Sequence, residues 1–314
     1  MKKNCLGDLI SPVTKQKSLQ VTENEIIFSE NEKYIIANGI PIIINEQEGL
    51  FSVSSIVSNV ETTQQYSYND IKNFKTYFRR KILPSLTNDK YFDERYTDLT
   101  AINPTKVLVL GSGQKVNFYK TLFPNSIVVT SDVHCLFSPD IVFDAHSIPY
   151  ADKTFDLIIA GQVLEHTMKP WIVAEEMQRV IKLEGYIHIE TPVNFPYHAH
   201  PYDFYRFTYT GLRSLFNKCS VYKSFITEGN ASAAAVLNSE FVINLFSNKY
   251  LRAGALFAAR FLFGWMKYFD TDNKDNIKNL RRLASPKGIG ITFKYDGIQR
   301  TDKELLNEYY SIKK

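Results

Sequence analysis

Residues 106–189 alternate short apolar runs with helical patterns, and this alternation limits the fold more than any other feature of the chain. Between the last two runs, apolar residues at helical spacing begin near Pro170, and proline is favoured in the first turn of a helix. Strands that alternate with helices predict an α/β fold with a doubly wound, mostly parallel sheet. The apolar runs are Val107–Leu110, Ile127–Thr130, Ile141–Phe143, Phe155–Ala160 and Tyr186–Ile189.

Length and composition are those of a folded globular protein. The chain has 314 residues, enough for one large and one smaller domain, with 44 % hydrophobic and 22 % charged residues. Its net charge of +4 is too small to indicate nucleic-acid binding. Three widely spaced cysteines are typical of a reducing compartment. Because we find neither a signal peptide nor an apolar run of about 20 residues, we expect a cytoplasmic protein.

The run Val107–Leu110 ends in the glycine turn Gly111-Ser112-Gly113. Glycine lets the backbone turn sharply and leaves no Cβ between the main chain and a ligand, so a nucleotide-like molecule can lie against the sheet edge. Asp132 ends the next run, at the spacing of about 20 residues expected for a carboxylate that binds ribose hydroxyls. These features predict a nucleotide-like cofactor but do not distinguish a dinucleotide from S-adenosylmethionine.

Three further stretches, Asp144–Ile159, Val163–His166 and Glu176–Gly185, resemble motifs of class I S-adenosylmethionine-dependent methyltransferases of the type 11 group. The resemblance implies a Rossmann-like, doubly wound α/β sheet of seven strands and S-adenosylmethionine as cofactor. It also implies that Asp144 binds the adenine amino group and that the following residue offers its backbone. The cofactor-binding residues that it implies are Gly111, Ser112, Gly113, Asp132, Val133, Asp144, Ala145, His146, Gln162 and His166.

Two positions depart from the family pattern. The family usually has an acidic residue two positions before the first glycine, where it helps to hold the methionine ammonium, and Val109 stands there. Lys115 replaces the third glycine, and it either reaches the methionine carboxylate or faces solvent. The adenosine half of the site is therefore complete in sequence, whereas the methionine half must be held differently or more weakly.

Residues 196–208 are rich in histidine and aromatic residues, and they begin just past the fifth strand, where ligands bind in open α/β sheets. An acceptor hydroxyl needs a general base, which is usually histidine. We predict His200 as this base, with His198 as the alternative. Asp203 and Arg206 are further candidate catalytic residues, although their i, i+3 spacing also fits a structural pair.

The pattern His200-Pro201-Tyr202-Asp203 followed by Arg206-Phe207-Thr208 resembles methyltransferases of bacterial surface-polysaccharide biosynthesis. This resemblance implies a hydroxyl of a glycan or nucleotide-sugar as the methyl acceptor. One alternative is a small aromatic or quinone acceptor under an apolar segment, Leu256–Trp265; another is a binding or scaffold protein without catalysis. A nicotinamide dehydrogenase is disfavoured, because Val116 occupies the third glycine position of the dinucleotide motif.

The first 50 residues predict short strands around the turn dipeptide Asn38-Gly39. Residues Ser11–Gln16 and Tyr34–Pro41 resemble small zinc-ribbon-like domains that accompany some methyltransferases. The Cys-Pro-x-Cys knuckle of those domains stands here as Ser11-Pro12-Val13-Thr14, and a hydroxyl does not replace a thiolate on zinc. We predict a metal-free remnant, too small to hold its own core and packed on its neighbour, and no metal site elsewhere.

We divide the chain into a β-rich domain (1–50), a helical linker (51–100), a methyltransferase domain (101–295) with a helical insertion (about 231–286), and a C-terminal tail (296–314). Within this scheme, residues 69–83 predict a helix with a basic face. That face is either solvated or meets a phosphate-bearing substrate or an anionic membrane. Thr210 is predicted to cap a short helix, and nothing indicates an oligomeric state.

Overall fold

A computed structural model of the protein describes residues 6–17, 20–47, 49–58, 83–270, 277 and 280–312. The basic helix predicted at 69–83 lies, apart from Leu83, outside the described residues. The α-helices in the described part are α1 (Val53–Ser58), α2 (Phe92–Thr100), α3 (Val116–Leu122), α4 (Pro170–Val180), α5 (Tyr209–Leu215), α6 (Asn230–Asn244), α7 (Lys249–Phe263) and α8 (Asp302–Ser311). Short 3₁₀ turns lie at Gly113–Lys115, Leu164–His166, Met266–Phe269 and Leu280–Leu283.

One mixed sheet of eleven strands joins these elements, in the order β1-β2-β3-β4-β7-β6-β5-β8-β9-β11-β10. The strands from β4 to β9 in this order are parallel neighbours, and β11 pairs antiparallel with both β9 and β10. The strands are β1 (Gln20–Val21), β2 (Glu25–Ser29), β3 (Glu32–Ala37), β4 (Ile40–Ile43), β5 (Lys106–Leu110), β6 (Ile127–Asp132), β7 (Ile141–Phe143), β8 (Phe155–Gly161), β9 (Ile181–Pro192), β10 (Cys219–Glu228) and β11 (Gly288–Tyr295).

The central strand β5 supplies side chains to two separate cores. Leu108 and Leu110 pack in the cluster that includes Val173 and Met177 of α4. Val107 and Val109 pack in the other cluster, with aromatic residues of α2 and α3. Since neighbouring side chains of a strand point to opposite faces, helices must cover both sides of the sheet. The predicted doubly wound α/β fold is confirmed.

The N-terminal strands β1 to β4 widen this sheet beyond the seven strands that were predicted. They form antiparallel pairs with each other, and β4 then pairs in parallel with β7 through Ile42 and Ile43. Asn38 and Gly39 join β3 to β4 with φ angles of 52° and 75°, which is the left-handed backbone that a tight hairpin turn requires. The expected packing of the N-terminal segment on its neighbour therefore takes the form of edge pairing.

The predicted knuckle at Ser11 is a tight turn closed on a hydroxyl. Ser11 Oγ is buried and accepts hydrogen bonds from the backbone N–H groups of Val13 (3.0 Å) and Thr14 (2.7 Å). It donates to the Glu32 carboxylate, 2.6 Å from Oε1. The Ser11 hydroxyl thus accepts hydrogen bonds from two backbone N–H groups, which could equally donate to a cysteine thiolate at this position. The resemblance to a zinc ribbon remains a prediction.

Two local predictions need correction. The side chain that caps α5 is Thr208, whose Oγ accepts from Gly211 N, whereas Thr210 lies inside the first turn of the helix. The predicted tail contains α8, which begins at a capping box formed by Thr301 and Glu304. The predicted helical insertion comprises α6, α7 and two 3₁₀ turns, and β11 follows it from Gly288.

Candidate active site

The glycine turn after β5 has a conformation that a side chain would disrupt. Gly111 has a φ of 61°, and a Cβ built there would lie 2.7 Å from Val163 Cγ2. The neighbouring Ser112 N donates to Ser131 O over 2.9 Å, which ties the turn to the end of β6. The hydroxyl of Ser112 is buried and has no partner in the described part of the chain. The turn therefore brings bare backbone and a free polar group to the sheet edge.

Asp132 ends β6 beside this turn, and its carboxylate is held by two backbone amides. Oδ2 accepts from Gly113 N at 2.9 Å, and Oδ1 accepts from Val133 N at 2.8 Å. The buried His134 adds Nε2 at 3.3 Å from Oδ1. Each carboxylate oxygen has a second lone pair, so the fixed group can still accept hydrogen bonds from ribose hydroxyls.

A cleft of about 800 Å³, partly open to solvent, lies above the carboxyl ends of β5 to β8. Two predicted cofactor residues, Ser112 and Gly113, are not on its wall, whereas Leu50 and Phe51 of the N-terminal part are. Phe51 stacks on Tyr202 with ring centroids 5.5 Å apart. No pattern in the sequence marked either residue. The predicted cofactor residues that the structure brings together on this wall are Gly111, Asp132, Val133, Asp144, Ala145, His146, Gln162 and His166.

The end of the cleft after β7 carries an oriented carboxylate. Asp144 Oδ1 accepts from the backbone N–H of His146 at 2.9 Å and lies 2.5 Å from its Nδ1. On the other side of the ring, Nε2 accepts from Lys169 N at 3.2 Å. His146 is thereby locked to Asp144 and orients it. The second oxygen, Oδ2, remains to accept a hydrogen bond from an amino group, as the resemblance implies for adenine.

The methionine half of the predicted site lacks the acidic residue that the family usually has at the position of Val109. Val109 is fully buried in the core, and Lys115 Nζ lies 4.0 Å from the ring centroid of Phe92 on α2. Beneath the cleft, Glu190 Oε2 is 3.9 Å from where a Cβ of Gly161 would be. Although burial alone would raise the pKa of Glu190, His188 and Arg95 hold it at about 2. A fixed negative charge therefore lies next to the cleft wall.

His166 brings an imidazole to the same cleft from the 3₁₀ turn after β8. Its Nδ1 lies 2.5 Å from Tyr202 O and therefore donates its proton to that carbonyl. The ring of His198 approaches edge-on, with centroids 4.9 Å apart. Burial lowers the pKa of both imidazoles below the ordinary value. At neutral pH both rings are therefore uncharged, and the Nε2 atom of His166 can accept a proton.

Glu165, the neighbour of His166, is a fully buried carboxyl whose oxygens have no hydrogen-bond partner among the described residues. Burial raises its pKa to about 8. Glu165, His166 and His198 each place one ligand-type atom within 4.8 Å of the others, a donor set that zinc and related ions can use. No motif in the sequence marks this cluster, because His198 lies far along the chain from Glu165 and His166. The absence of a metal site remains a prediction.

The loop that carries His198 is held by an Asp203–Arg206 pair. The buried Asp203 carboxylate accepts from both terminal nitrogens of Arg206, at 2.6 and 2.7 Å, and from His198 N at 2.7 Å. Arg206 also donates to the carbonyl oxygens of Phe195 and Pro196. This bidentate fork uses up most of the polar atoms of both side chains. These contacts match a structural role for the Asp203–Arg206 pair.

His200, the predicted general base, has an exposed side chain on the same loop. Its ring contacts Tyr197, with centroids 4.1 Å apart, and it is absent from the described wall of the cofactor cleft. No residue of α7 lines the cleft either. None of the described residues between Leu256 and Trp265 lines the cleft, so they do not form the apolar lid that a quinone acceptor would favour.

Part of the chain is similar to a known protein family and to solved structures. Residues 90–189, about a third of the chain, match the family model described as "Methyltransferase domain", and they include every predicted cofactor residue. A SAM-dependent methyltransferase from Archaeoglobus fulgidus is similar in structure (16 % identity, 71 % of this chain and 100 % of that one, TM-score 0.43). The N-methyltransferase NodS from Bradyrhizobium japonicum WM9, solved with S-adenosyl-L-homocysteine, is also similar (12 % identity, 75 % of this chain and 99 % of that one, TM-score 0.42). Among curated proteins, none matches.

Proposed function

We propose that this S-adenosylmethionine-dependent methyltransferase, of the class I fold, methylates a sugar hydroxyl in the cytoplasm. The acceptor would be a glycan, or its nucleotide-linked or lipid-linked precursor, in bacterial surface-polysaccharide biosynthesis. The observation that carries the proposal is His166, whose ring lies on the cofactor cleft with Nδ1 bonded to Tyr202 O. A hydroxyl nucleophile needs such a base, whereas a neutral amine attacks through its own lone pair.

The residues of the cleft fit the cofactor at its adenosine half. Asp132 would accept from the ribose hydroxyls, and Asp144 from the adenine amino group, because both carboxylates keep free lone pairs. The buried hydroxyl of Ser112, in the glycine turn after β5, has no partner among the described residues. When bound, S-adenosylmethionine supplies the methyl group, and its sulfur keeps the electrons of the broken bond.

The chain's own residues would then align the acceptor and remove its proton. Nε2 of His166 would take the proton of the acceptor hydroxyl as the hydroxyl oxygen received the methyl group. Tyr202 O stabilises the imidazolium that results, because it already accepts the Nδ1 proton. Such a displacement depends mainly on alignment and close approach, which a ring fixed on one side provides.

The aromatic residues near the cleft favour a sugar over an apolar acceptor. Phe51 and Tyr202 stack at the edge of the cleft, and Tyr205 stacks on Phe207 nearby in sequence. Flat aromatic faces suit the apolar side of a sugar ring, while Gln162 and His166 supply polar atoms on the cleft wall. A small aromatic or quinone acceptor would need an apolar lid, which the described residues do not form.

Two partner proposals accompany this function. The small net charge of +4 argues against nucleic acid as a partner. The basic residues of segment 69–83 would meet the phosphates of a lipid-linked acceptor or of the membrane that carries it. Replacing Arg79 and Arg80 by glutamine should then raise KM for such an acceptor, whereas binding of S-adenosylmethionine should not change.

Methyl transfer by the purified chain to a panel of acceptors tests the proposal. The panel contains nucleotide-sugars, lipid-linked sugars, primary amines and quinols, and mass spectrometry detects one added methyl group. We also expect surface glycans from cells with an inactive copy to lack one methyl. Transfer to amines or quinols alone would contradict the proposal, and undetectable binding of S-adenosylmethionine in calorimetry would leave only a scaffold protein.

A further inference from the structure

The helical insertion carries large apolar side chains that no described part of the protein covers. They belong to α7, to the 3₁₀ turn at Met266–Phe269 and to Trp265 just before that turn, and we call this set the insertion surface. Isolated apolar residues are normal on a protein surface, but a run of this size marks an interaction site. Its members, each between 52 % and 70 % exposed, are Phe257, Phe261, Leu262, Trp265, Tyr268 and Phe269.

The opposite side of α7 is anchored, so the exposure does not come from a loose helix. Ala255 and Ala259 are buried, and α7 lies against α6. Arg260 Nη1 donates to Pro84 O at 3.2 Å. At the end of the segment, the Asp270 carboxylate accepts from Ser232 N at 2.8 Å. The helix therefore packs on the protein through Ala255 and Ala259, and its aromatic residues face outward.

The charges on this segment are all of one sign. Between Glu240 and Asp270 the sequence contains no acidic residue but has four basic ones. Two of them, Lys249 and Arg252, are exposed in the first turn of α7. An apolar helix face with lysine and arginine and without acidic residues is typical of helices that lie on anionic membranes. The four basic residues are Lys249, Arg252, Arg260 and Lys267.

The dimensions fit a helix that lies in the plane of the membrane. A helix of 15 residues is about 22 Å long, which is less than the ~30 Å hydrocarbon core. In the described part of the chain, no helix is long and apolar enough to cross a bilayer. Trp265, Tyr268 and Tyr250 are exposed on this segment, and such rings prefer the headgroup region.

We infer that the insertion surface docks the protein on an anionic lipid bilayer. A second copy of the chain is the competing occupant, because exposed aromatic residues also suit protein interfaces. A two-fold contact, however, would place the insertion surface against itself. The four basic residues of the same segment would then come close to their copies, and the segment has no acidic residue to pair with them. Anionic headgroups neutralise these charges. The inference is independent of the methyl acceptor and concerns residues far in sequence from segment 69–83.

Vesicle binding by the full chain tests the inference. The protein is mixed with vesicles of phosphatidylcholine alone, or of phosphatidylcholine with phosphatidylglycerol, and then sedimented. We expect binding to the anionic vesicles, and weaker binding at high salt. The chain has two tryptophans, so Trp171→Phe leaves Trp265 as the reporter. Its emission should shift to shorter wavelength on anionic vesicles, and an unchanged spectrum would overturn the inference.

Substitutions of exposed residues locate the contact. We expect the double variant Phe257→Ser/Phe261→Ser to lower vesicle partitioning about tenfold or more, because two aromatic side chains lose their burial in lipid. Replacing either Lys249 or Arg252 by glutamate should lower vesicle partitioning by on the order of fivefold. The matched control Ile298→Ser/Tyr310→Ser changes residues that are 63 % and 72 % exposed outside the insertion and should bind normally.

Light scattering without vesicles decides between lipid and a second copy. A monomer that binds anionic vesicles, with thermal unfolding unchanged in the variants, supports the inference. A dimer that Phe257→Ser/Phe261→Ser converts to a monomer, together with no vesicle binding, would assign the surface to self-association. Equal loss of vesicle binding in the control variant would also overturn the inference.

Discussion

The cofactor side and the acceptor side of the cleft are built in different ways. On the cofactor side, the functional residues follow the ends of β5 to β8, and the sheet itself sets their spacing. On the acceptor side, loop 195–206 depends on one buried carboxylate, Asp203, and its arginine partner. Backbone pairing tolerates changes of side chain, whereas a loop held by a single ion pair does not. The acceptor side should therefore be the easier one to alter, in evolution and by mutation.

The largest effect is expected at the base on the acceptor side. His166→Ala should lower turnover by about 10²–10⁴-fold, since no other group replaces Nε2. The control is His200→Ala, because that side chain is exposed and outside the cleft wall. Turnover measured at saturating S-adenosylmethionine compares the two. If His200→Ala loses activity while His166→Ala keeps it, the sequence-based prediction of His200 as base holds instead.

On the cofactor side, Asp132→Ala should weaken the binding of S-adenosylmethionine by about 10²–10⁴-fold. Hydrogen bonds to a charged group contribute about 1.5–3 kcal/mol each, and this carboxylate would accept from two ribose hydroxyls. Calorimetric titration measures the change in Kd. The exposed Asp152 offers a control, because its removal leaves the cleft intact. Equal affinity of Asp132→Ala and the native chain would remove the carboxylate from the cofactor site.

The loop anchor should affect stability as well as catalysis. Asp203→Asn should lower the free energy of unfolding by about 1.5–3 kcal/mol, because the buried charge-assisted hydrogen bonds from Arg206 are weakened. Asp98→Asn breaks an exposed pair with Lys223 and should cost at most about 1 kcal/mol. Urea denaturation measures both. A similar, small cost for the two variants would show that the loop does not depend on the pair.

The pH dependence of turnover follows from the lowered pKa of His166. The base acts in its neutral form, and burial favours that form, so turnover should be level between about pH 6.5 and 8. Below the lowered pKa, turnover should fall about tenfold per pH unit. Because Glu165 has a pKa of about 8, it is mostly uncharged at pH 7, and Glu165→Gln should not move the acid limb. An acid limb above pH 6.5 would contradict this assignment.

Removing divalent ions should have the smallest effect. We expect a chelator to leave turnover unchanged, because the positive charge of Arg206 favours the deprotonated forms of both Glu165 and His166 and would repel a cation bound between them. Turnover is measured before and after dialysis against chelator. Loss of activity that zinc or manganese restores would instead make Glu165, His166 and His198 a metal site.

The elements that the sequence predicted well are those with local signals. The predicted strand Val107–Leu110 differs from β5 by one residue, and Asn38-Gly39 forms its turn as expected. Asp132 was predicted for the cofactor site because it ends a strand at the expected spacing from the glycine turn, and Asp144 because the stretch that it begins resembles a family motif. Their positions in space depend only on parallel pairing of neighbours, which the alternation of strands and helices already indicates.

The features that the sequence did not reveal depend on contacts between distant residues. Phe51 reaches the cleft and stacks on Tyr202, although its position was predicted to lie in a helical linker. Glu190 and Arg95 pair across 95 positions of the chain. Local propensity carries no information about such pairs, because each partner alone is consistent with many environments.

By itself, then, the sequence determined the α/β alternation and the glycine turn, since periodicity and turn chemistry act over a few residues. Only the tertiary structure decided that β4 joins β7 and widens the sheet, and that His166 lies on the cleft with the ring of His198 against it. The physical reason is that edge pairing and side-chain orientation on a loop follow from packing between segments far apart in the chain.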